Sequence, residues 1–101
     1  LVFLNLKNNK IKIIKNYYFQ NFIDIILLDL SFNLIETIEN ESLKNLKSTI
    51  GLYLNDNKLK SIEGVFNKES SSYITSIMFL SLSNNLIYDF DFMIDGLYYL
   101  H

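Results

Sequence analysis

The chain has no cysteine, proline, tryptophan, alanine or arginine, and only three glycines and one histidine. Without cysteine, disulfides, thiol catalysis and zinc ribbons are excluded. The one histidine, His101, is the last residue, and no glycine-rich phosphate loop is present. The acids do not converge either, since Asp29 and Asp56 fall in different predicted strands with unlike neighbours. The materials for catalysis are missing. The expectation is a non-enzyme with no cofactor, no metal and no small-molecule substrate. Long apolar runs are also lacking: the longest aliphatic run covers 25–28, far short of the roughly 20 residues of a membrane span. Lysine alone supplies positive charge, and the net charge is −2, which argues against nucleic acid as the main partner. No signal peptide is visible, so the expected location is cytoplasmic or nuclear.

What remains is 101 residues, half of them hydrophobic and 20% charged, enough for a single domain with a real core. Self-similarity organises them. Leu1, Leu4, Leu6, Asn9, Ile11 and Ile14 recur in register as Ile25, Leu28, Leu30, Asn33, Ile35 and Ile38. The same offsets select Thr49, Leu52, Leu54, Asn57, Leu59 and Ile62, then Ile77, Leu80, Leu82, Asn85, Ile87 and Phe90. Only Thr49 departs from the apolar type. The predicted repeats are 1–24, 25–48, 49–76 and 77–99, with a fifth starting at 100. The chain begins on a repeat's first residue and carries no polar capping unit at either end, so the expectation is an excerpt from a longer array.

This LxxLxLxxNxL pattern resembles the leucine-rich repeat family over essentially the whole chain. The stretch Leu52-Tyr53-Leu54-Asn55-Asp56-Asn57-Lys58-Leu59-Lys60-Ser61-Ile62-Glu63-Gly64 is similar to the subclass of the leucine-rich regulatory subunit of protein phosphatase 1. The resemblance implies an α/β solenoid, a right-handed coil with short parallel strands on the concave face and helical or irregular turns on the convex face. It also implies a protein partner, with a phosphatase catalytic subunit as one candidate.

Physical roles follow from position. Each LxL pair predicts a strand with its leucines inward. Asn9, Asn33, Asn57 and Asn85 are expected to form a buried ladder, because a primary amide can satisfy both the N–H and C=O groups that a turn leaves unpaired. Phe19, Phe22, Phe66, Phe90 and Phe92 fall on the return path and are expected to fill the core, with Phe92 at an irregular offset. Acids before bases at Glu39, Glu41, Lys44 and Lys47 predict a short helix over 41–47. The third repeat is about four residues longer than its neighbours, with the excess at the Ser-rich 68–72, read as a tolerated insertion. Asn40-Glu41-Ser42 is a formal glycosylation sequon, read as chance. Lysines cluster in the first repeat (Lys7, Lys10, Lys12, Lys15) and aspartates in the last (Asp89, Asp91, Asp95), read as solvated faces.

The residues beside the inward leucines define three outward columns. The first is Phe3, Leu27, Gly51 and Phe79; the second Asn5, Asp29, Tyr53 and Ser81; the third Lys7, Ser31, Asn55 and Ser83. An apolar stripe rimmed by polar groups predicts a protein-binding surface, anchored by Phe3, Leu27, Tyr53 and Phe79. Four strands at about 4.8 Å spacing span only ~15 Å, less than a standard interface requires, so either the partner is small or further repeats take part. Two other classes stand beside this reading: an ectodomain segment of a receptor or secreted protein, and a structural spacer without a partner.

Overall fold

The computed structural model describes residues 2–62 and 76–88. Among these there are six strands and no helix: β1 (Val2–Asn5), β2 (Ile13–Ile14), β3 (Ile25–Asp29), β4 (Thr37–Ile38), β5 (Gly51–Tyr53) and β6 (Phe79–Ser81). Four of them form a parallel sheet in the order β1-β3-β5-β6, and β2 pairs with β4 in a second, two-stranded parallel sheet. The register follows the sequence period, with Leu4 opposite Leu28, Leu28 opposite Leu52 and Leu52 opposite Leu80. The longer third repeat leaves that pairing intact. Its extra residues, 68–72, lie outside the described residues, as do Phe66, Phe90, Phe92, the aspartate cluster and the start of a fifth repeat.

Strand alternation sends the leucines inward. Leu28, Leu30, Leu52 and Leu54 are wholly buried, together with Ile14, Ile35, Leu59 and Ile62 from the segments after the turn. Each such side chain contributes about 1.5–3 kcal/mol by leaving water. Leu4, Leu6, Ile11, Ile77 and Ile87, in the first and last described repeats, are only partly buried against this core. Thr49, the one polar residue in an apolar slot, is wholly buried, and its hydroxyl donates to the Ile25 carbonyl at 2.8 Å. A short polar side chain is tolerated there because the neighbouring strand supplies its acceptor.

The asparagines join the repeats. Asn57 Nδ2 donates to the Leu54 carbonyl of its own repeat (3.1 Å) and the Leu30 carbonyl of the repeat before (3.0 Å), while its Oδ1 accepts the Ile35 N–H (3.0 Å). Asn33 does the same with Leu30, Leu6 and Ile11, and Asn85 with Leu82, Leu54 and Leu59. The ladder is buried only in its middle, at Asn33 and Asn57; Asn85 is half-buried and Asn9 exposed. Asn9 donates only to carbonyls of its own repeat, those of Leu6 and Lys7.

Two expectations for the return path need correction. The predicted helix over 41–47 is a run of turns, closed by bonds such as Ser42 N–H to Glu39 C=O (3.0 Å) and Leu46 N–H to Leu43 C=O (3.1 Å). Seven residues do not repay helix nucleation, and Asn45 is committed to the Gln20 carbonyl of the preceding repeat. The charge pattern still yields an exposed Lys44–Glu41 contact at 2.9 Å, which solvent screens. Phe19 is buried as expected, but Phe22 is 44% exposed; it meets the Phe19 ring edge-on from outside. The β2–β4 pair, with Ile14 opposite Ile38, has no counterpart in the expected turns. It is extended by Asn16, whose N–H donates to Glu39 Oε1 and whose Oδ1 accepts the Glu41 N–H.

Replacing Asn57 by Leu strands the Ile35 N–H in the core, and the expected loss is about 1–3 kcal/mol in urea unfolding. Asn9→Leu, at an exposed site with intra-repeat bonds only, is expected to lose distinctly less in the same measurement.

Candidate protein-binding face

The sheet register brings the first two predicted columns together. Phe3 lies opposite Leu27, Leu27 opposite Gly51 and Gly51 opposite Phe79. Asn5, Asp29, Tyr53 and Ser81 follow in the same way. The third column is aligned by backbone bonds just beyond the strands, from Asn8 N–H to Ser31 C=O, Phe32 N–H to Asn55 C=O and Asp56 N–H to Ser83 C=O.

The columns are not uniformly exposed. Phe3 is 71% exposed and Phe79 46%, while Leu27 and Tyr53 are half-buried. The difference between Phe3 and Leu27 traces to Gly51. A Cβ at Gly51 would collide with Leu27 Cδ2 and come within 3.6 Å of the Tyr53 ring. Leu27 therefore lies down over the glycine, and the first column has two raised aromatics with a low apolar floor between them.

The polar columns are partly committed to the chain itself. Asn5 Oδ1 accepts the Lys7 N–H (3.0 Å), and Asp29 Oδ1 accepts the Ser31 N–H (2.9 Å). The Ser31 hydroxyl also donates to Asp29 Oδ1, and Ser31 is 3% exposed. Ser31 is thus turned inward by its own aspartate, contrary to its expected place on the outward surface. Asn55 donates to Asp56, whose other carboxylate oxygen accepts from Asn84. Asn5, Lys7 and Ser83 are exposed, and Asp29, Asn55 and Ser81 half-buried.

Sequence reasoning missed Phe32. It stands between the third column and the ladder asparagine, is 45% exposed, and has Lys7 Nζ over its ring at 5.3 Å from the centroid. The signal was available: the equivalent positions are Asn8, Asp56 and Asn84.

Elsewhere, an open hollow of about 650 Å³ is lined by Asn16, Tyr17, Gln20, Asn21, Glu41, Lys44 and Asn45, and shares no residue with the columns. Within the sequon, Ser42 is 2% exposed and its hydroxyl donates to the Glu39 carbonyl at 2.7 Å. Among the described residues, no group of three or more His, Asp or Glu side chains is placed to hold a metal ion. No helix among them is long and apolar enough to cross a membrane.

One strand per repeat in a parallel sheet, an inward leucine pair and an asparagine that bonds to the preceding repeat define a class of repeat protein. The leucine rich repeat family matches residues 1–59, and the chain belongs to it. Members of this family generally mediate protein–protein interaction and are generally not enzymes. No curated protein matches the chain.

Gly51→Ala is expected to change stability by no more than about 1 kcal/mol, because strand propensity offsets the crowding and the colliding atom is the tip of a flexible side chain. Its signature is the displacement of Leu27 from the sheet, read from the shifts of the Leu27 methyl resonances.

Proposed function

We propose that the chain is a non-enzymatic protein-binding module, in which the repeats continue as a right-handed solenoid and the four-stranded sheet lines its concave face. One observation carries the reading: Phe3 and Phe79 stand exposed in a single column of the sheet, flanking the low floor at Leu27 and Gly51. Large aromatics held out of the core by strand alternation are the side chains that dominate interface energetics. Tyr53 adds an amphipathic contact beside the floor, and Asn5, Lys7, Asp29, Asn55, Ser81 and Ser83 form a polar rim. Ser31 supports the face from beneath through Asp29.

The partner is a protein, not a nucleic acid or a small metabolite. By the resemblance of the third repeat, a phosphatase catalytic subunit is a candidate, which would make the chain part of a regulatory subunit in the cytoplasm or nucleus. The narrow sheet favours a longer array, and Asn9 Oδ1 is the acceptor that a further stacked repeat would use, as Asn33, Asn57 and Asn85 are used here.

The test is a double substitution, Phe3→Ser with Phe79→Ser, in a chain used as bait. Both side chains are substantially exposed, so thermal melting is expected to stay within a few degrees of wild type. Capture of the partner is expected to fall at least tenfold. Undiminished capture would remove the stripe from the interface, and failure of the wild-type chain to capture any reproducible partner would favour a structural spacer.

A further inference from the structure

The residue immediately before each ladder asparagine has a left-handed backbone, with φ of 61° at Asn8, 55° at Phe32, 60° at Asp56 and 56° at Asn84. In that geometry the N–H groups of Asn8, Phe32 and Asp56 reach the carbonyls of Ser31, Asn55 and Ser83 in the next repeat, at 3.2, 3.1 and 2.9 Å. Asparagine and aspartate tolerate the left-handed region, whereas a bulky aromatic there is strained. Three of the four positions carry the tolerant residues, and one carries phenylalanine. Core burial does not account for the exception, because the ring is 45% exposed.

Lys7, one repeat earlier, places its Nζ 5.3 Å from the centroid of the ring. That ammonium is exposed, and among the described residues no carboxylate lies within ion-pair distance of it. The carboxylates of Asp29 and Asp56 accept instead from Ser31 and from Asn55 and Asn84. A strained, exposed aromatic and an exposed ammonium, without an ion pair among the described residues, thus share one corner at the exit edge of the sheet face.

We propose that Phe32 and Lys7 together form a specificity-determining corner that receives a protein segment carrying an apolar side chain next to a carboxylate. The ring offers apolar area, the ammonium offers charge, and the cation–π contact brings the two together. A partner side chain packed on Phe32 places an adjacent Asp or Glu beside Lys7, so charge complementarity selects the segment. Strain at an exposed position that core burial does not require points to a role in contact. The inference rests on the sheet-face reading and extends it.

The probe is a set of peptides selected from a random phage-displayed library on the intact chain. Their affinities are measured by fluorescence anisotropy against wild type, Phe32→Asn, Lys7→Gln and the Phe3→Ser/Phe79→Ser double variant. Phe32→Asn is expected to melt a few degrees higher than wild type, yet to bind the peptides at least tenfold more weakly. Lys7→Gln is expected to lose several-fold in affinity together with most of the salt dependence. The selected peptides should carry Asp or Glu beside a large apolar residue. A more stable Phe32→Asn with full affinity would overturn the proposal, as would a lower melting temperature, which makes the ring structural. Peptides sensitive to the double variant but not to Phe32→Asn would leave the sheet-face reading standing without this corner. Peptides indifferent to both, or none recovered, would end both.

Discussion

The structure depends on one hydrogen-bonding arrangement, an asparagine amide that serves two successive repeats at once. A strand that turns out of a parallel sheet leaves its last carbonyls and next N–H groups without sheet partners, and burial makes that expensive. Asn33, Asn57 and Asn85 answer with the same bonds: Nδ2 to one carbonyl in their own repeat and one in the repeat before, and Oδ1 from an N–H two residues past the preceding asparagine. Leucine burial supplies the bulk of the stabilisation, but it is non-directional. The amides set how one repeat sits on the next, and so which outward side chains line up.

Much of this was legible in the sequence because it repeats. The LxL spacing located the four sheet strands and their register, and the invariant offset of the asparagines marked the ladder. The return path was harder. Its apolar residues recur about every third position, which does not separate a helix from a chain of turns; the acids before bases at 41–47 then tipped the reading to a helix, and the β2–β4 pairing was not foreseen. Burial within the columns was also only partly readable. Alternation tells which way a side chain points, but not that Leu27 would lie down over Gly51 or that Asp29 would draw Ser31 inward. These depend on neighbours in the adjoining strand or turn. Phe32 stands out in the sequence against Asn8, Asp56 and Asn84, but what the contrast means needs the left-handed backbone that all four share.

The face that results is built from two kinds of departure from the repeat. At invariant positions the repeats are alike, as stacking requires. At the outward positions they differ, and the differences carry the chemistry: a glycine that lowers one part of an aromatic column, and a phenylalanine where its counterparts are asparagine or aspartate. Neither residue serves the core. Regular positions build the scaffold, and irregular ones give each part of the surface a character of its own.

The third repeat is longer than the others, yet Leu52 still faces Leu80 and Asn85 still reaches the Leu54 carbonyl. Junctions of this kind are indifferent to how much chain runs between them. Whole units can therefore be duplicated or lost in evolution without redesigning any seam, and lineages can grow or shrink the array one module at a time. A deletion that removes a strand or its asparagine has no such freedom, since it takes away one side of the seam.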